Sequence, residues 1–374
     1  MTGTITTIAL LATALWAFTR FALRGENLAR YDQPGHVACA EPSDPGAGHH
    51  EVLELLREFN TPAQGRMSAR ERLVHLREKL DSLGERADLD GVEIRPADVG
   101  GIPGEWVLAA GADPARRLLY LHGGAFTMGS CRSHRGITST LSRLAGAAVL
   151  AIDYRLMPEH RRLDCLADCQ RAYRWILDNG PQGAAPLGTL FVAGDSAGGN
   201  LCLALIAWAR DAGLRSADAA VALSPVTDGT LSSPSLLANL HSDHMLGPMF
   251  GRLARVPSAL LLWISWLINR VRPCDPRVSP AHGRLHGLPP TLIHASEAEM
   301  LLDDARRYVN KARAAGSDAR LQTWHDMVHV WHAFGASLPE ASEAFDRIAE
   351  FLESVKPGGM NGTDSPASRH HGRM

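Results

Sequence analysis

Residues 189–199 read TLFVAGDSAGG. An apolar run from Thr189 to Ala193 leads straight into Gly194-Asp195-Ser196-Ala197-Gly198, and the apolar helical stretch AGGNLCLALIAWARDAG follows. This is G-x-S-x-G in the setting where it carries meaning, a strand, a sharp turn and a helix. So sharp a turn brings backbone against backbone, and a Cβ at Gly194 or Gly198 would collide. The turn lifts the Ser196 hydroxyl clear of the carboxyl edge of a sheet. Ser196 also stands at a helix N-terminus, whose positive end favours negative charge developing beside it.

Outward from this turn the same rhythm repeats. RLLYLHGG, AAVLAIDY, AAVALSPV, PTLIHAS and ARLQTWHD are further apolar strands, alternating with helical stretches such as DCLADCQRAYRWILDN and LLDDARRYVNKARAAG. Short Val/Ile/Leu-rich runs between helices imply a mostly parallel sheet covered on both faces. Val92–Arg95 and Glu105–Ala110 alternate between Gly and Pro breaks and read as an antiparallel hairpin.

A serine is a weak nucleophile until a base within hydrogen-bond reach takes its proton and a third group orients that base. Three histidines follow the last strand, His325, His329 and His332. His325 still belongs to the strand end and His332 starts the next helix, so His329, in the loop between, is the expected base. For the acid, Glu297, Glu299 and Asp303 follow strand PTLIHAS. Asp303 and Asp304 head a helix, where carboxylates serve as caps, and Glu299 in the loop is preferred. His122-Gly123-Gly124 ends another strand. Backbone N–H groups there would stabilise a tetrahedral oxyanion, and Gly123, Gly124 and Ala197 are the expected donors. His122 is read as bracing this loop.

The remaining sequence sets the boundaries. Residues 1–25 hold a run without Lys, Arg, Asp or Glu up to Thr19, followed by Arg20 and Arg24. It reads as a membrane anchor, a hydrophobic arm packed on the protein or a cleaved signal, and charge behind the run keeps the rest on the cytoplasmic side. Residues 26–90 are polar and helical and form a cap region, residues 91–355 a catalytic domain with 228–280 contributing to the cap, and 356–374 a disordered tail. SALLLWISWLIN, Ser258 to Asn269, is too short to span a bilayer and reads as a lid helix.

The chain has 374 residues, 38 Lys+Arg and 40 Asp+Glu, hence a net charge of −2. No basic field exists to attract nucleic acid. Six cysteines in so long a chain make no disulfide scaffold, and Cys165 and Cys169, four apart, read as buried small hydrophobes with no metal.

HGGAF (122–126), DYRLMPEH (153–160), GDSAGG (194–199), SPVTD (224–228), DPRVSP (275–280), EMLLDD (299–304) and MVHVWHAF (327–334) together resemble the hormone-sensitive-lipase-like branch of α/β-hydrolase esterases. The resemblance implies an α/β-hydrolase fold, with an eight-stranded, mostly parallel sheet, helices on both faces and a helical cap. It implies cofactor-free hydrolysis of carboxylic esters with short to medium acyl chains. Ser196 becomes the nucleophile, His329 the base, Glu299 the acid and Asp195 a support beside the nucleophile. Glu299 stands where the family more often has Asp, and Met157 where it has Ala. Expected partners are a small ester, a membrane through residues 1–25 and a second copy in a homodimer. An amidase or arylformamidase, a membrane-surface lipase and a non-catalytic small-molecule receptor are the rival readings.

Overall fold

The computed structural model describes residues 2–34, 37–40, 46–61 and 67–355. Its sheet has nine strands: β1 (Val37–Cys39), β2 (Val92–Asp98), β3 (Pro103–Ala109), β4 (Asp113–Leu121), β5 (Ala147–Ile152), β8 (Thr189–Asp195), β9 (Ala219–Leu223), β10 (Thr291–Ser296) and β11 (Ala319–Trp324). Between β5 and β8 a two-residue ribbon pairs β6 (Asn179–Gly180) with β7 (Gly183–Ala184). The order across the sheet is β1-β11-β10-β9-β8-β4-β5-β3-β2. Only β2–β3 and β3–β5 pair antiparallel. All eight expected strands are present, and β1 is an addition, parallel to β11 at the edge. Three residues carry too little periodicity for a sequence to announce it.

Strands covered on both faces need no polar positions. Every residue of β5, β8, β9 and β10 is buried, whereas edge strand β2 alternates half-buried and exposed positions. Helices α5 (Arg162–Asp178), α6 (Ala197–Asp211) and α10 (Leu302–Ala314) pack one face, with Tyr173, Leu201 and Tyr308 in that core. Helices α4 (Arg135–Ala145) and α11 (Pro339–Ser354) pack the other, through Ile137, Leu141, Phe345 and Ile348.

The remaining helices gather over the carboxyl edge of the strands. These are α2 (Ala47–Asn60), α3 (Ala69–Gly84), α7 (Ser235–Ala238), α8 (Leu246–Ala254) and α9 (Ser258–Asn269). Ser68 and Glu71 close a capping box at the start of α3. Val52 and Leu56 of α2 pack with Trp324, Met327 and Trp331, pinning the loop after β11. Before them come α1 (Thr2–Ala17) and a π-helical turn, Phe18–Leu23. The expected tail, 356–374, lies outside the described residues.

The turn at the end of β8 is as tight as its sequence implies. A Cβ on Gly198 would stand 1.9 Å from the Leu121 carbonyl oxygen, and one on Gly194 2.5 Å from that of Gly198. Both obstacles are backbone and cannot swing aside. Gly198→Ala is therefore expected to cost about 3 kcal/mol or more in chemical denaturation. Gly213→Ala, at a φ of +64° but with no atom within 4 Å of the new Cβ, should cost only about 1–2 kcal/mol.

Candidate active site

Ser196 sits on the turn with φ +51° and ψ −113°, a backbone conformation that non-glycine residues rarely adopt. Its N–H donates to the Leu223 carbonyl at 2.7 Å, so the neighbouring strand holds the strained residue in place. The His329 ring descends from the loop after β11. Its Nε2 lies 2.9 Å from Ser196 Oγ and its Nδ1 2.8 Å from Glu299 Oε2. The other Glu299 oxygen accepts the Ser296 N–H at 3.1 Å. Three side chains distant in the chain thus form one hydrogen-bonded line, and both His329 and Glu299 are buried.

Burial alone would push the His329 imidazolium down, but the bond to Glu299 and its charge outweigh this and hold it above the ordinary histidine value. Burial pushes the Glu299 carboxyl up in turn, against the His329 bond.

The competing residues lie elsewhere. His325 is exposed at the end of β11, and His332 is buried with its Nε2 3.1 Å from His294 Nδ1. Glu297 pairs with Arg306 at 2.7 Å. Asp303 and Asp304 do not cap α10, whose N-terminus has no side-chain cap. Asp303 accepts the Ser235 N–H at 2.8 Å, and Asp304 accepts those of Thr227 and Asp228 at 2.7 and 2.8 Å. They tie down the segment after β9.

One expected oxyanion donor is corrected. The Gly123 N–H donates to Asp195 Oδ1 at 2.9 Å and faces away from Ser196. Among the described residues, the N–H groups of Gly124, Ala125 and Ala197 have no protein acceptor, and all three residues line the cavity with Ser196. The loop turns there with positive φ at Gly124, Ala125 and Phe126. The Gly123 N–H is thus taken, whereas those of Gly124 and Ala125 stay open beside the cavity. A Cβ on Gly123 would stand 2.0 Å from Asp195 Oδ2, so this glycine is required by the carboxylate and not by the oxyanion.

Asp195 also accepts from Tyr120 Oη at 2.6 Å and from His134 Nε2 at 3.3 Å. Neither Tyr120 nor His134 was legible as part of the site, because nothing in their spacing ties them to Ser196. Burial would push Asp195 up, yet His134 and Tyr120 hold it below the usual carboxylate value. His122 stacks on Tyr154 at 4.2 Å, and its Nδ1 lies 2.8 Å from the Gly123 carbonyl oxygen. Burial and the neighbouring His134 push its pKa down to about 4, so it braces the loop as a neutral ring.

Above Ser196 opens a cavity of ≈ 1200 Å³. Leu56 and Phe59 of α2, Leu80 and Leu83 of α3, Met249 and Phe250 of α8 and Leu261 of α9 form its walls, with Ser196 and His329 among the few polar groups. Among the described residues no cluster of three His, Cys, Asp or Glu side chains is placed to hold a metal ion.

Burial would lower the His134 pKa, and Asp195 is the first of the groups that hold it above the ordinary histidine value. In Asp195→Asn that opposition loses its charge. The His134 pKa, read by NMR titration of the ring nitrogens, should fall relative to the parent.

Residues 118–333 match a family model described as alpha/beta hydrolase fold. An acetyl-hydrolase of Streptomyces hygroscopicus is 38% identical over 270 residues, which is 71% of this chain and 86% of the relative. The crystal structure of an esterase from the bacterial hormone-sensitive lipase family superposes with a TM-score of 0.72 at 35% identity, covering 84% of this chain and 99% of the other. That of EstE5, soaked with p-nitrophenyl butyrate, gives a TM-score of 0.70 at 37% identity, over 82% and 98%. The chain belongs to the hormone-sensitive-lipase-like family of α/β-hydrolase-fold esterases.

Proposed function

We propose that this esterase hydrolyses carboxylic esters of short to medium acyl chains by acyl transfer through Ser196. The observation that carries the reading is the line Ser196–His329–Glu299, with its contacts of 2.9 and 2.8 Å. His329 Nε2 takes the Ser196 proton as Oγ attacks the ester carbonyl. The carbonyl oxygen becomes an anion facing the N–H groups of Gly124, Ala125 and Ala197, which are already oriented and cost no reorganisation. Glu299 fixes the ring so that Nε2 faces the serine, and its charge stabilises the imidazolium. The imidazolium protonates the departing alcohol. A water deprotonated by the same nitrogen then releases the acid and restores Ser196.

The acyl chain enters the apolar cavity. In this reading residues 91–355 are the catalytic domain, and α2, α3 and the 228–280 segment with α7–α9 are its cap. EstE5, a relative in fold and sequence, was soaked with p-nitrophenyl butyrate, and a four-carbon acyl group leaves most of this cavity unfilled.

Two outcomes test the proposal. Glu299→Gln should lower kcat by about 10³–10⁴, as loss of the orienting carboxylate does in such triads, while Asp303→Asn leaves kcat close to the parent. The acid limb of kcat/KM should have its midpoint above 6.5, because the neutral base forms only above the raised His329 pKa, and it should move down in Glu299→Gln. Equal losses in the two variants would shift the acid away from Glu299.

In a p-nitrophenyl ester series, kcat/KM should rise from acetate through butyrate to hexanoate. Each buried methylene contributes at most about 0.8 kcal/mol, or roughly fourfold. A maximum at acetate would mean that the cavity does not take the acyl chain.

A further inference from the structure

Every described side chain of α1 from Thr6 to Trp16 is exposed; three are threonines and the rest are apolar. Leu10 and Leu11 are each 66% exposed and Trp16 62%. The helix carries no charged residue, and its described side chains do not fold back onto the body. Its Thr13 hydroxyl donates to the Ala9 carbonyl at 2.9 Å, so that hydrogen needs no solvent partner. Contact with the body begins at the π-helical turn, where Phe18 packs on Trp263 and Trp266 of α9 at 5.4 and 5.3 Å. The Trp263 Nε1–H donates to Thr19 Oγ1 at 2.9 Å. The outer face of α9 continues the surface, with Leu267 53% and Ile268 66% exposed.

We propose that α1 and the outer face of α9 form one docking surface for a lipid bilayer bearing anionic headgroups. Charge chooses the occupant. Residues 1–25 and 258–274, the segments that hold α1 and α9, contain Arg20, Arg24, Arg270 and Arg272 and no Asp or Glu, in a chain whose overall charge is −2. A second copy meeting this one through the same face would set arginines against arginines, whereas phosphate headgroups neutralise them. Three of the eight tryptophans, Trp16, Trp263 and Trp266, lie here, and amphipathic rings favour the headgroup boundary.

Sixteen residues make a helix about 24 Å long, short of a hydrocarbon core of ~30 Å. Among the described residues no helix is long and apolar enough to cross a membrane. The arm therefore enters one leaflet. The inner face of α9 lines the cavity through Leu261, and the exposed cavity residues Leu253 and Ile264 lie on α8 and α9. Docking thus sets the cavity mouth beside the lipid, where acyl esters are concentrated.

The test uses the full chain as Ser196→Ala, so that binding is read apart from turnover. It is co-sedimented with vesicles of phosphatidylcholine, alone or mixed with phosphatidylglycerol. Binding should be at least about tenfold tighter to the mixed vesicles and weaken with salt. Leu11→Glu with Trp16→Glu, and separately Leu267→Glu with Ile268→Glu, should each weaken it about tenfold or more. The same changes in the Ser196 parent should leave p-nitrophenyl acetate turnover within about twofold. In the unsubstituted chain, brominated lipid should quench tryptophan fluorescence, a readout that needs no variant to fold. Absent sedimentation with either vesicle, absent quenching, or Glu variants that bind like the parent would overturn the proposal. So would a dimer that these substitutions dissociate. Equal binding to both vesicles would overturn the anionic headgroup.

Discussion

The carboxylate of Asp195, buried one residue before Ser196, joins the two halves of the site. It accepts hydrogen bonds from Tyr120 on β4, from the Gly123 N–H in the loop that follows, and from His134 at the head of α4. The strand that carries the serine and the loop that faces the oxyanion are thereby fixed to one side chain. Buried carboxylates are tolerated when donors replace the lost water, and here three donors converge. The same bond that holds the loop occupies the Gly123 N–H and leaves the next two N–H groups without a protein acceptor beside the cavity. The backbone adds its own constraint, since Leu121 and Gly198 approach too closely for any Cβ.

A second buried network fixes the N-terminal segment. Arg307 on α10 reaches Asp228 at 3.0 Å, and its Nη2 lies 3.1 Å from Asp32. Asp228 also lies 3.1 Å from His282 Nε2. Burial and the adjacent Asp228 push Asp304 up to about 7, where it shares its load of hydrogen bonds with the loop after β9. Residues 28–32 are thus tied to α10, and they lead directly back to the π-helical turn that meets α9. The segment over the site and the arm that precedes it hang from the same charged cluster.

Most of the sheet was legible because each central strand is buried on both faces and therefore written as an unbroken apolar run. Ser196, His329 and Glu299 were legible because a strand must end before each of them, and strand ends leave marks in composition. What failed has a common cause. Gly123 carried the right residue type for a donor, but the direction of its N–H depends on Asp195, a contact across the fold. Asp303 and Asp304 carried the right type and place for helix caps, yet tertiary partners at 227–235 claimed both side chains. His134 and Tyr120 gave no signal, since their roles come from a shared partner and not from spacing. Local chemistry announces which groups can act; long-range contacts decide which way they point.

The cap illustrates the same division with a different consequence. An apolar cavity needs apolar walls, so α8 and α9 cannot reserve their inner faces for charge. α9 goes further and has almost no polar residue on its outer face either, which leaves few directional contacts to set its position. Those it has run mainly to the arm. Arg24 donates to Ser258 Oγ at 2.7 Å, Trp263 donates to Thr19, and Phe18 wedges beside both tryptophans. Leu261, Ile264, Ser265 and Asn269 of the same helix line the cavity above Ser196. Residues 18–24, which follow the uncharged run, are thereby structural neighbours of the cavity wall.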